Sequence, residues 1–154
     1  KDSEGLLLLT DDTSLNNRLL DPSENQERKY LVQVEGDPSK EQIDKLSKGV
    51  TIKIKSESYQ TKPCKVKVLK EAPKLPERHP PIRFRKEIPT NWLEMSLTEG
   101  KNRQVRKMTA AVGLPTLRLV RWSIGKIDVQ SMQSGDVLML EKRDVYWSLF
   151  KERI

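Results

Sequence analysis

The chain holds one cysteine, Cys64, and one histidine, His79. Neither a disulfide nor a Cys/His zinc site can be assembled from so few ligands, so no metal is expected. Cys64, set among alternating apolar residues, reads as a small buried hydrophobe. No stretch approaches the roughly 20 consecutive apolar residues that cross a bilayer. The polar, acidic start Lys1-Asp2-Ser3-Glu4 is unlike a secretory signal. These absences predict a soluble, cytoplasmic protein with no membrane partner. Its chemistry must then rest on carboxylates, hydroxyls, amides and guanidiniums. The most local absence is of acid, since no Asp or Glu occurs between Glu99 and Asp128.

What fills that gap is basic. Lys101, Arg103, Arg106, Lys107, Arg118, Arg121 and Lys126 give the stretch from 101 to 126 a charge of +7, which equals the net charge of the whole chain. The remainder balances 22 basic against 22 acidic residues. Charge gathered in this way points to a polyanion, and to nucleic acid first. On a helical wheel Val105, Met108 and Val112 fall within about 60° of one another, while Arg103, Arg106 and Lys107 gather opposite. One face is core and the other a cationic surface. The lead-in Gly100-Lys101-Asn102 aims a positive helix end outward, where backbone amides can hold phosphate.

At 154 residues the chain fits one compact domain. Leu6 to Leu9 reads as a strand buried on both faces, with Thr13 or Ser14 capping a short helix that carries Leu15, Leu19 and Leu20. Tyr30 to Glu35 is rich in β-formers. Ser39 with Gln42 forms a capping box for a helix that ends at Gly49. Ile52 and Ile54, then Cys64, Val66 and Val68, alternate as half-exposed strands. Pro73, Pro76, Pro80, Pro81 and Pro89 impose an irregular connection bearing Arg78, Arg83, Arg85 and Lys86. Trp92 to Leu97 is a strand, Asn102 caps a helix from Arg103 to Val112, and Leu117 to Ile124 and Val137 to Leu140 are further strands. Trp147, Phe150 and Ile154 at helical spacing predict a docked C-terminal helix. The interspersed order argues for an α+β domain, a largely antiparallel mixed sheet flanked by helices.

Three segments in order carry a resemblance. Glu99-Gly100-Lys101-Asn102-Arg103-Gln104-Val105-Arg106-Lys107-Met108, with Val112-Gly113-Leu114-Pro115 and Leu117-Arg118-Leu119-Val120-Arg121, resembles the third motif of the RsuA-like bacterial ribosomal RNA pseudouridine synthases. Asp2 to Asp12 resembles the end of the family's first motif, and Arg28 to Gly36 its second. Pro80-Pro81-Ile82-Arg83 through Trp92 looks like the E-type members, which act on large-subunit (23S) RNA and lack a separate S4-like RNA-binding domain.

The resemblance implies a pseudouridine synthase catalytic domain over 1–154, needing no cofactor, with 23S RNA as partner, no DNA, and a monomeric state. It implies a catalytic Asp three residues before Ser3 and five before Gly5, hence immediately before Lys1. Asp2, Asp11 and Asp12 are out of that register, so the chain is expected to be N-terminally incomplete and inactive as it stands. It further implies that Tyr30 stacks on the target base and that Arg106 pairs with the catalytic Asp. Leu119 lines the uracil pocket, a position equally suited to the core. Lys101, Arg103, Gln104, Lys107, Arg118 and Arg121 contact RNA, with Arg83, Arg85 and Lys86 as weaker candidates. Two alternatives stand beside this reading: a non-catalytic RNA-binding module, and a sibling synthase acting on small-subunit RNA.

Overall fold

The computed structural model describes residues 3–78, 81, 82 and 87–154. Asp2, His79, Pro80, Arg83, Arg85 and Lys86 lie outside the described residues. In chain order come β1 (Glu4–Gly5), α1 (Thr13–Leu20), a single 3-10 turn (Pro22–Glu24), β2 (Arg28–Glu35), α2 (Lys40–Lys48), β3 (Thr51–Ile54), β4 (Glu57–Gln60) and β5 (Lys65–Val68). Then follow β6 (Thr90–Leu97), α3 (Gln104–Ala111), β7 (Thr116–Ile124), β8 (Ile127–Asp128) and α4 (Lys142–Phe150).

The main sheet runs β1-β7-β2-β6-β5, with β8 folded back on β7, and β3 and β4 form a separate hairpin. All ladders are antiparallel except β1 against β7. Alternation along the central strands puts Val32, Val34, Leu93 and Met95 into a core with Leu46 of α2 and Val105 and Met108 of α3. A second cluster joins Leu6, Leu15, Ile124, Tyr146 and Leu149 beneath α1 and α4. The expected α+β architecture is therefore the observed one.

Local expectations fared unevenly. The capping box is present, with the Gln42 N–H donating to Ser39 Oγ at 3.1 Å and the Ser39 N–H to Gln42 Oε1 at 2.9 Å. Cys64 packs against the first core, and its thiol donates to the Leu46 carbonyl at 3.3 Å. Helix α1 is capped by Asp12 instead of Thr13 or Ser14, because the Asp12 carboxylate accepts both the Leu15 N–H and the Tyr146 hydroxyl. The leucine run is not a two-sided strand: pairing stops at Gly5, and of the four leucines only Leu6 is buried. Val137 to Leu140 is not a strand either, for no ladder reaches it and its side chains face water. On α4 the buried residues are Tyr146 and Leu149; the expected Phe150 is half-buried and packs on the same cluster, while Trp147 and, beyond the helix end, Ile154 are exposed.

Candidate active site

Gly5 lies at a positive φ of 103°, and a Cβ there would stand 2.2 Å from the Arg121 carbonyl oxygen. Only glycine lets β1 come this close to β7. The approach is locked by the Leu6 N–H donating to the Arg121 carbonyl at 2.8 Å and by Arg121 Nε donating to the Leu6 carbonyl at 2.9 Å. Across β7, the β2 register slips at Tyr30: Lys29 faces Ser123, but Tyr30 faces Arg121. This bulge sets the Tyr30 ring opposite the Arg121 side chain at one end of the sheet, as bulges beside functional sites do. Leu119 is two residues earlier on the same β7 face and is buried in the first core.

These residues line a cleft of about 430 Å³ together with Ser3, Leu97, Glu99, Lys101, Arg103, Gln104 and Arg106. Leu119 is thus packed in the core and also lines the cleft. Arg106 is half-buried on α3, on the flank opposite Val105 and Met108.

The start of α3 differs from expectation. Asn102 does not cap it. The N-cap is Arg103, in the left-handed region at φ 52°, with no side-chain cap bond. The Gln104 side chain instead reaches back, its Oε1 accepting the Lys101 N–H at 3.0 Å and its Nε2 donating to Glu99 Oε2 at 2.9 Å. Gln104 lines the cleft but is buried, with its amide engaged inside the protein, so it positions the loop. Glu99 also accepts the Lys62 N–H at 2.7 Å and a short hydrogen bond from the Tyr59 hydroxyl of β4. Burial pushes its carboxyl up, yet the bonds from Tyr59, Lys62 and Gln104 outweigh that and hold it below the usual range. The same bond to Glu99 pushes the Tyr59 phenol up to about 12. Lys101 Nζ rests 5.1 Å over the Tyr59 ring. Sequence reasoning missed Glu99 and Tyr59 as site residues. The one available signal was Glu99 as the last acid before a long acid-free run.

Two more expected RNA contacts lie elsewhere. Arg118 forks onto Glu4, with Nε and Nη2 each 2.8 Å from its carboxylate oxygens, and Nη2 also donates to the Pro76 carbonyl at 2.6 Å. Its side chain is only 12% exposed, and this ion pair holds β1 and the proline-rich connection together. Lys107 is half-buried on α3 and does not line the cleft. Arg78 approaches Glu4 at 3.7 Å.

The cleft therefore offers a flat aromatic ring, an apolar floor and the cations Lys101, Arg103, Arg106 and Arg121. That set can take an unstacked base together with its phosphates. Among the described residues no group of His, Cys, Asp and Glu could hold a metal ion.

The sequence profile described as RNA pseudouridylate synthase matches residues 1–111. The chain belongs to this family. A ribosomal large subunit pseudouridine synthase E of Xanthomonas campestris is 54% identical over 134 residues, which cover 87% of this chain and 70% of that protein. A protein of the same name from Vibrio parahaemolyticus is 48% identical over 135 residues, covering 88% and 55% respectively. A ribosomal large subunit pseudouridine synthase B of Bacillus subtilis is 31% identical over 144 residues, covering 94% of this chain and 52% of its own. Among solved structures, "Crystal structure of pseudouridylate synthase" superposes with a TM-score of 0.69 at 24% identity, over 91% of this chain and 52% of that one. The chain thus spans 52–70% of the length of these curated relatives. The pseudouridylate synthase fold agrees with the α+β reading of the sequence, and the cleft occupies the part of it where the three motif segments meet.

Proposed function

We propose that this chain carries the catalytic domain of an enzyme that converts a uridine of large-subunit (23S) ribosomal RNA to pseudouridine. The observation that carries the reading is the cleft itself, where Tyr30 of the second motif segment and Arg106 and Leu119 of the third share one cavity with Arg121. The large-subunit substrate is supported by the names of relatives 46% to 55% identical to this chain.

The reaction is an isomerisation. The bond from N1 of the uracil to C1′ of the ribose breaks, the base turns, C5 joins C1′, and the proton leaves C5 while N1 gains one. Atoms and electrons balance with no redox cofactor and no nucleoside triphosphate. Flipping the uridine costs a few kcal/mol, which stacking on Tyr30, worth about 1–3 kcal/mol, offsets. Leu119 and Leu97 keep the floor of the pocket dry. Arg106 keeps the nucleophilic carboxylate ionised through charge-assisted hydrogen bonds. The family resemblance would place that carboxylate on an Asp immediately before Lys1. Lys101, Arg103 and Arg121 take the phosphates on either side, and the protein works as a monomer in the cytoplasm.

The test is tritium release from 23S RNA labelled at uracil C5, using this chain and a version extended upstream through Arg-Leu-Asp. Release from the extended form alone supports the reading and locates the nucleophile. RNA binding without release from either form would leave a binding module.

A further inference from the structure

Around α4 three cations have a matched acid. Lys142 Nζ is 3.2 Å from Asp12, Arg143 Nε is 3.3 Å from Glu141, and Arg18 bridges Glu24 and Glu152 at 2.8 and 2.7 Å. Lys126, Lys151 and Arg153 do not: among the described residues no carboxylate lies within 4.0 Å of their nitrogens in any ion pair. Glu152 stands between Lys151 and Arg153 in sequence, yet its carboxylate is turned to Arg18. Two of these cations converge on one aromatic residue. Lys151 Nζ is 5.3 Å and the Arg153 guanidinium carbon 5.7 Å from the centre of the Trp147 ring, and Trp147 is 47% exposed. The β7–β8 turn packs onto the same helix, since Gly125 abuts Leu149, and it brings Lys126 against Lys151. The contact with Lys126 pushes the Lys151 ammonium down from its ordinary value, the mark of a like-charge pair without a counter-ion.

We propose that Trp147, Lys126, Lys151 and Arg153 form a second RNA contact, in which an unpaired base stacks on the indole and its phosphate sits between the two lysines. The indole supplies the sequence-tolerant π-face and the lysines the backbone charge that single-stranded RNA requires. Geometry favours RNA over an anionic membrane. Ile154, 61% exposed, stands beside Arg153, but strand β7 leads from the cleft to the patch. Arg121 lines the cleft, β7 ends three residues later, roughly 10 Å along the strand, and the next turn carries Lys126. One RNA segment can therefore touch both. This inference rests on the proposed action on RNA.

The test compares wild type, Trp147→Ala, the double variant Lys126→Gln/Lys151→Gln, and the cleft variant Tyr30→Ala, all in the upstream-extended protein. Affinity for a 23S transcript is read by filter binding across a salt series, thermal melting controls for folding, and tritium release is read at saturating RNA. The patch variants are expected to bind about tenfold more weakly. The double variant should also show a log-log salt slope shallower by about 1.4, with the saturated rate unchanged. Tyr30→Ala should lose release while keeping the salt slope. Unchanged affinity and slope in folded patch variants would overturn the second contact even if Tyr30→Ala behaves as expected. Sedimentation with phosphatidylserine vesicles that the double variant loses, alongside unaltered RNA binding, would overturn it in favour of a membrane surface.

Discussion

Replacing Glu99 tests how the cleft is held. The carboxylate is 5% exposed and accepts three hydrogen bonds, from Tyr59, the Lys62 N–H and Gln104. Glu99→Gln keeps the shape but turns an amide donor toward at least one of these donors. One buried donor left without an acceptor costs about 1–3 kcal/mol. For a domain of this size each kcal/mol lowers Tm by about 2–4 °C, so a fall of roughly 2–12 °C is expected. Glu99→Ala removes all three acceptors, but cleft water replaces some of them, and about 3 kcal/mol is the expected loss. The sign of the pH dependence follows from the depressed carboxyl. A carboxyl whose folded value lies below its unfolded one, about 4.3, contributes stability that is full above that pH and lost as pH falls through the folded value. Wild type and Glu99→Gln should thus differ most at neutral pH and draw together as pH falls from about 4.3. Because Gln104 ties Glu99 to the Lys101 N–H ahead of Arg106, the extended enzyme should also lose turnover, by at least about tenfold. Equal melting temperatures, or a gap that persists unchanged at pH 3, would refute the network's role.

Other outcomes follow from the same geometry. Gly5→Ala should lose about 1–3 kcal/mol from strain alone, read as a lower urea midpoint, because its methyl would meet the Arg121 backbone. The Cys64 thiol is pushed up to about 11, first by burial and then by the charge of Glu99; at pH 8 it should react with a disulfide reagent roughly 100-fold more slowly than in the urea-unfolded chain. Tyr59 and Cys64 both lie above their unfolded values, so stability is full below about pH 8.5 and falls as pH climbs through 9 to 12; Tyr59→Phe should flatten that fall. Arg106→Lys should cut tritium release by about 100-fold or more while leaving RNA affinity within a few-fold, since an ammonium cannot reproduce the guanidinium fork.

Much of this molecule could be read from residues alone, where local chemistry and tertiary packing agree. The capping box at Ser39, the strands at Tyr30, Trp92 and Leu117, and the buried flank of α3 all follow from periodicity and short-range hydrogen bonding. The failures have a common cause. Asn102 is a good cap, but Gln104 is drawn to Glu99 by a contact that also recruits Tyr59, 40 positions away, and the helix start follows that long-range bond. Asp12 displaced Thr13 as a cap because Tyr146 and Lys142, from the far end of the chain, also reach its carboxylate. Hairpin β3–β4 was half-read: Ile52 and Ile54 signalled one strand, whereas Glu57–Gln60 has no apolar alternation and pairs only because β3 lies beside it. That Tyr30, Arg106 and Leu119 line one cleft is suggested in the sequence only by the motif, because their proximity depends on a bulge and a sheet order that no window of sequence displays.

The acid-free run looked like one cationic surface, and the strand period shows why it is not. Along β7 side chains alternate, so Leu119 and Arg121 share a face, and Arg118 falls on the other with Val120. Parallel pairing sets Glu4 beside Val120 and Gly5 beside Arg121, which delivers a carboxylate to Arg118 and leaves the cleft side to Arg121. Arg118→Gln should therefore act on stability. The bidentate pair, 12% and 31% exposed, is partly shielded from water, and breaking it leaves Glu4 without its main partner at a cost of about 2 kcal/mol, or roughly 4–8 °C in Tm. The salt slope of RNA binding should stay as in wild type. Arg121→Gln should lower that slope by about 0.7 to 1. Its stability effect should be smaller, because the strand contact keeps the Leu6 N–H bond to the Arg121 carbonyl. A reversed outcome, with Arg118→Gln shallowing the slope at unchanged Tm, would mean that Glu4 releases the guanidinium to RNA and that the run does act as one surface.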